Sequence, residues 1–396
     1  MQTKAFIRND LPEPDAPSAA HSERVAVHIR DVIELAGGSI SFAEFMQHAL
    51  YAPGLGYYSA GARKLGSDGD FVTAPEISPL FGHVLARQCA FVLDQLGGGA
   101  VFEPGAGSGA LAVSMLTKLD ELGALPDRYL ILEVSADLRE RQEARIKLEC
   151  PQYRDRVSWI AGLPEDFEGV VVANEVADAF PVERFRIQDG EVLQARVVTN
   201  GPRFAWQYAR APDLLRDAVR ELEADTGRAL GDGYESEVSP GLRNWVTELC
   251  ASVRKGLVLL IDYGVTRREY YAPERGQGWL RCHFRHRAHD DPLILPGIQD
   301  LTSWVDFSMV ATAASDVGMS IAGFVTQAQL LIDGGLEKEL AEFNSMPVAR
   351  QVKLSGQVKL LTLPSEMGEN FKCLGLQRGA LLPPPALIAS DRAHLL

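Results

Sequence analysis

A chain of 396 residues that is 46% hydrophobic and 23% charged can hold one large α/β domain with additions, or two domains, and is too apolar to be disordered. Its 39 Lys and Arg against 53 Asp and Glu give a net charge of −14, which repels phosphate backbones and makes nucleic acid an unlikely main partner. Apolar runs such as 256–261 are far shorter than the ~20 residues of a membrane span, the first residues carry no apolar signal core, and the five cysteines form no Cys-x-x-Cys pair. No membrane insertion, no metal and a reduced, cytoplasmic setting are therefore expected.

Residues 1–20 hold Pro12, Pro14 and Pro17 among small polar residues and read as a mobile arm. Residues 21–96 read as a helical region: two helices between 22 and 50, split at Gly37-Gly38, then a long Gly- and Pro-rich loop over 51–75. Thr73-x-x-Glu76 has the form of a capping box, opening a helix that runs to about Leu96. From 97 to 380 short apolar strands alternate with helical segments, the pattern of a parallel sheet. The strands are predicted at 100–103, 129–134, 157–161, 170–174, 257–263, 320–326 and 371–377. An insertion over about 185–240 offers a hairpin (184–198) and a charged helix (211–230). Ser239-Pro240 then opens a helix predicted to stop at Lys255-Gly256, and 381–396 reads as a tail.

The chemistry concentrates where the first strand, Ala100-Val-Phe-Glu103, runs into Gly105-Ala-Gly107-Ser-Gly109 and a helix opening near Ala110. Glycines are needed where a ligand lies against the backbone or where φ is positive. Spaced as Gly105-x-Gly107-x-x-Ala110, the loop also fits a dinucleotide fingerprint. Glu103, two residues before the first glycine, gives the E-x-G-x-G-x-G form of methyltransferases, in which the carboxylate would face the cationic methionine end of S-adenosylmethionine. The second strand ends at Glu133, beside Val134, where an acid can accept both ribose hydroxyls, and Ser135 can cap the next helix. The fourth strand ends Asn174-Glu175-Val-Ala-Asp178, at the sheet edge that lines the ligand crevice. Carboxylates there suit a cationic acceptor such as arginine, which stays charged and pairs bidentately with an acid.

These residues, with Gly56-Tyr57-Tyr58-Ser59, Gly69-Asp70-Phe71-Val-Thr73-Ala-Pro75-Glu76, Glu237-Val-Ser239-Pro240, Leu260-Ile-Asp262-Tyr263-Gly264, 292–307 and Met367-Gly-Glu-Asn-Phe371, resemble the MidA-like methyltransferases over about 40–380. The resemblance implies an α/β, Rossmann-like class I methyltransferase fold. It would have a mostly parallel seven-stranded sheet, a helical N-terminal addition and a β-hairpin/helix insertion. It implies a loop of Gly69, Asp70, Phe71 and Thr73 folded over S-adenosyl-L-methionine. It also implies symmetric dimethylation of arginine on a partner protein, as in a mitochondrial complex I assembly factor of that family. Glu175 and Asp178 are the first acids to consider at the acceptor, with Glu237 and Asp262 next. The alternatives are a small-molecule methyltransferase, a cofactor-binding assembly factor without turnover, and an NAD(P) oxidoreductase; self-association is left open. The segment 267–289, rich in Arg and holding Cys282, His283, His286 and His289, reads as an exposed basic loop for an acidic partner, its spacing matching no zinc module.

Overall fold

The computed structural model describes residues 11–60 and 73–396. Its described residues form two compact units of interleaved segments: 73–177, 243–266 and 305–396 make the larger, and 11–60, 178–242 and 267–304 the smaller.

The larger unit is built on a sheet whose seven long strands are numbered here β1 (Ala100–Pro104), β2 (Arg128–Leu132), β3 (Val157–Ile160), β4 (Phe167–Asn174), β5 (Val253–Val265), β6 (Ser320–Thr326) and β7 (Phe371–Arg378). Their spatial order is β6-β7-β5-β4-β1-β2-β3, with the two-residue strand Val305–Asp306 beside β5. Strands β1 to β5 pair in parallel, and β7 lies antiparallel between β5 and β6. All seven predicted strands are present. Val170, Val171 and Val172 on β4 and Leu257 to Ile261 on β5 are buried, as apolar runs in a sheet covered on both faces must be.

Three expectations fail in this unit. The helix over 240–252 stops at Ser252, and Lys255-Gly256 lie inside β5, where Gly256 adopts φ +148° in register with Gly169. Glycine here marks the close approach of two backbones, not a helix end. The capping box at Thr73 does not form: Thr73 makes no side-chain cap, and Ala74–Ile77 is a single turn. Pro79 holds Ser78 extended, and Ser78 caps a new helix, Pro79–Leu96. The last residues are no tail, because Leu381, Ala386 and Leu387 are buried in the sheet's core and Arg392 N–H donates to Phe324 O at 2.7 Å.

The smaller unit carries helices Ala16–Leu35 and Phe42–Tyr51, each opened by a side-chain cap, Asp15 to Ser18 N–H and Ser41 to Glu44 N–H. The helix therefore begins inside the segment expected to be a mobile arm, Pro17 being tolerated in its first turn. Val25, Ile29, Phe42, Phe45 and Met46 share a core with Val182, Val197 and Leu301. The insertion is an antiparallel sheet of Glu183–Gln188, Glu191–Asn200 and Arg203–Arg210, the last strand unforeseen, with Glu235–Val238 on the far side. Its first hairpin turns at Asp189-Gly190, both with positive φ.

The segment 267–289 is not an exposed loop. It holds the strands Leu280–Phe284 and Arg287–His289, and four of its six arginines have partners within the unit. Buried Arg267 pairs with Asp225, Arg285 with Asp15 at 2.5 Å and Arg281 with Asp290 at 3.8 Å, while Arg275 stacks on Trp279 at 4.2 Å. Arg268 and Arg287 remain exposed.

Candidate functional site

From β1 the chain proceeds outward to β2 and β3, and from β4 it proceeds the other way to β5, so the carboxyl ends of the adjacent strands β1 and β4 form a topological switch point. Ligands of open α/β sheets bind there. After β1, Gly105, Gly107 and Gly109 take φ of +67°, +53° and +81°, and Gly109 immediately precedes helix Ala110–Glu121. A Cβ on Gly105 would lie 3.0 Å from Val176, in the segment following β4. The loop is pinned by Arg145, which the sequence did not single out, together with Glu76. Arg145 Nη1 donates to Glu76 Oε1 at 2.8 Å and to Ser108 Oγ at 2.7 Å, and Ser108 Oγ also donates to Glu76.

Glu133 follows β2. Its Oε1 accepts from Ser135 N–H and its Oε2 from Gln142 Nε2, each at 2.9 Å, while Ser135 Oγ caps the helix Ala136–Glu149. Burial pushes its carboxyl above the ordinary range, against the hydrogen bonds from Ser135 and Gln142. Val134 beside it is 78% exposed, an apolar side chain at the crevice rim.

Glu103 is 2% exposed and accepts from Tyr129 Oη at 2.6 Å. Burial pushes its carboxyl up to about 7, opposed by the Tyr129 hydrogen bond. Below its ordinary value near 4.5 both folded and unfolded chains hold the proton; between there and 7 only the folded chain does, so stability falls as pH rises through that window. Glu103→Gln should thus resist urea better than the parent at pH 8, by on the order of 3 kcal/mol, and match it near pH 4.5. Equal midpoints at pH 8 would show that the carboxylate is ionised without cost.

Beyond β4, Glu175 has φ +51°. Its N–H donates to Ile261 O at 2.9 Å, and its Oε1 accepts from Asn174 Nδ2 at 3.1 Å and Ala74 N–H at 3.3 Å. Buried Asp262 accepts Ala177 N–H at 2.9 Å. The loop that carries Glu175 is therefore held from β5. Asn174 Oδ1 is buried and has no hydrogen-bond partner among the described residues.

The other candidate residues lie in different places. Thr73 lies next to Ala74 in this unit, and Gly69, Asp70 and Phe71 lie outside the described residues. Asp178 and Glu237 belong to the smaller unit. Asp178 is 7% exposed, and its carbonyl accepts Ser303 N–H. Glu237 is fully buried: its Oε2 accepts Trp279 N–H at 2.8 Å and its Oε1 lies 3.8 Å from Arg184 Nε, the residue opposite it in the strand pairing. That enclosure corrects its candidacy as an acid open to an acceptor.

The family described as "Putative S-adenosyl-L-methionine-dependent methyltransferase" matches residues 84–325. The chain belongs to it. A Burkholderia thailandensis protein crystallised with S-adenosyl-homocysteine is 39% identical, with a TM-score of 0.93 over 98% of this chain and 100% of that one. The Drosophila melanogaster "Protein arginine methyltransferase NDUFAF7 homolog, mitochondrial" is 29% identical over 93% of this chain and 89% of its own length. The mouse "Protein arginine methyltransferase NDUFAF7, mitochondrial" is 30% identical over 86% of this chain and 81% of its own length. The mitochondrial relatives overturn the cytoplasmic expectation: lack of an apolar signal core speaks only to secretory export, since mitochondrial addresses are amphipathic and basic. Among the described residues no helix is long and apolar enough to cross a membrane.

The protein is an S-adenosylmethionine-dependent methyltransferase, and its own residues fit that cofactor. The alternating glycines keep the loop backbone bare, Asn174 Oδ1 is a buried acceptor awaiting a donor, and Glu133 is an acid at the rim. Glu133→Ala should weaken binding of S-adenosylhomocysteine by about 1–3 kcal/mol in calorimetric titration. An unchanged dissociation constant would reduce Glu133 to a group that orders the start of its helix.

Proposed function

We propose that this chain methylates an arginine of a partner protein, with Glu175 holding the acceptor. The observation that carries the reading is a carboxylate fixed at the carboxyl end of the central strand, in a chain aligned nearly end to end with relatives named protein arginine methyltransferases.

S-adenosylmethionine supplies an electrophilic methyl group on a sulfonium. The protein must present a nitrogen lone pair in line with it, and a guanidinium is a poor nucleophile because its charge is spread over three nitrogens. A carboxylate paired with two of its N–H groups fixes the plane of the guanidinium and draws positive charge toward those nitrogens. The left-handed backbone of Glu175, tied to Ile261, and the contacts from Asn174 and Ala74 reduce the freedom this carboxylate must lose on binding. As the new N–C bond forms the S–C bond breaks, and S-adenosylhomocysteine departs. The alkylated guanidinium sheds one proton and returns to a single positive charge, with Glu175 or solvent as the acceptor. Asp178 is proposed to assist at this step.

Radiolabelled methyl transfer into lysate from cells lacking the gene tests the reading. Label should enter protein and appear as methylarginine after acid hydrolysis. Label confined to the small-molecule fraction would overturn it.

A further inference from the structure

We infer that Gln142 is a positioning residue that locks Glu133 to the glycine loop and thereby makes the site selective for ligands carrying a vicinal diol. The inference rests on the reading of that loop and Glu133 as part of the cofactor site.

Helix Ala136–Glu149 is charged along most of its length, and Gln142 and Ile146 are its buried residues. Gln142 is wholly buried. A polar amide so placed costs stability unless each of its groups is satisfied, and here each is. Its Oε1 accepts from Trp159 Nε1 at 2.8 Å, and its Nε2 donates to Glu133 Oε2 and to Gly107 O, both at 2.9 Å. Trp159 fixes which way the amide faces, because an indole N–H can only donate and must meet the oxygen. The NH₂ group is thus directed at the acid and the loop together. The two packings are close: a Cβ on Gly109 would already touch Gln142 Cα at 3.4 Å. Trp159 is itself flanked by the guanidiniums of Arg139 and Arg154, at 5.9 and 5.6 Å from its ring centre.

One consequence is geometric. Ser135 holds one carboxylate oxygen of Glu133 and Gln142 the other, so the plane of the acid is set relative to Gly107. A carboxylate has about four acceptor sites, more than the Ser135, Gln142 and Val134 donors around it use, so it can still receive a hydroxyl of a ligand's diol. A second consequence is electrostatic. Burial raises the Glu133 carboxyl and the Gln142 hydrogen bond opposes that rise, so removing the donor must raise it further.

The test is Gln142→Met, which keeps an unbranched chain of similar length and removes both donors. Calorimetric titration with S-adenosylhomocysteine and with its 2′,3′-dideoxy analogue should show a loss of roughly 10- to 50-fold for the first and less than about threefold for the second. The pH at which affinity falls on acidification should move upward relative to the parent. In a Glu133→Gln background, Gln142→Met should cost nothing further, since its effect passes through the acid. Trp159→Phe removes only the group that orients the amide and should give a smaller loss, again confined to the diol-bearing ligand; it serves if Gln142→Met does not fold. Equal losses for both ligands, with the pH profile unmoved, would make Gln142 a packing residue and overturn the inference. If Glu133→Gln leaves S-adenosylhomocysteine affinity intact, the placement of the cofactor site on Glu133 fails, and the role of Gln142 with it.

Discussion

Replacing Gly169 by alanine is expected to remove a large share of the protein's stability. Gly169 has φ +147°, a region that L side chains rarely adopt, and a Cβ there would lie 1.9 Å from Ala100 O on the adjoining strand. Gly256 repeats the arrangement on the other side, with φ +148° and a Cβ that would lie 1.9 Å from Gly169 O. The obstructing atoms are backbone carbonyls fixed in a parallel ladder, so relief requires three strands to separate at their entry. Inserting a methyl group into a packed core costs about 1–3 kcal/mol where side chains can yield. Here they cannot, and about 4 kcal/mol or more is expected, against a total of about 5–15 for a domain. Gly356→Ala is the control. It lies in helix Val348–Thr362 with nothing within 4 Å of the added carbon, and should gain up to about 1 kcal/mol. Urea midpoints of the two variants should move in opposite directions, and a parent-like midpoint for Gly169→Ala would contradict the strand packing.

Glu175→Gln should lower turnover on the order of 10² while cofactor affinity stays within a few-fold of the parent. The amide oxygen of glutamine can still accept from Asn174 Nδ2 and Ala74 N–H, so the loop keeps its shape. What disappears is the charge, and with it charge-assisted hydrogen bonds to a guanidinium worth roughly 1.5–3 kcal/mol. Single-turnover kinetics with labelled cofactor separate the two quantities. If affinity falls in step with rate, Glu175 serves the cofactor; if neither moves, the acceptor is held elsewhere.

The larger sheet was legible in the sequence because a parallel sheet buried on both faces demands unbroken apolar runs, and Val170 to Ala173 or Leu257 to Ile261 supply them. The glycine loop was legible because only glycine tolerates its backbone. Where one residue type serves two purposes, sequence reading failed. Gly256 looked like a helix stop because both a helix end and a backbone crowding point select glycine. Thr73 and Glu76 had the right spacing for a cap, but the proline at 79 imposed a break, and Glu76 turned to Arg145 and Ser108. Glu237 and Gln142 could not have been sorted at all. One is enclosed by the strand pairing that sets Arg184 opposite it, the other buried on a helix whose composition is that of a solvated face, and long-range contacts decide both.

The interleaved chain also dictates an order of assembly during synthesis. β4 is finished at residue 174, but its partner β5 begins at 253 and the closing strand β7 only at 371. The last segment of the smaller unit ends at 304, before β6 has been made. A nascent chain can therefore complete the smaller unit while β5 still presents a bare, leucine-rich edge that awaits β7, a surface prone to pair with the wrong strand. The packing of the last two strands is completed later still, because Leu387 lies against Gly323 and Gly375. Ribosomes stalled between residues 305 and 370 would hold a chain with its glycine loop and five parallel strands already made and β5 still without β7.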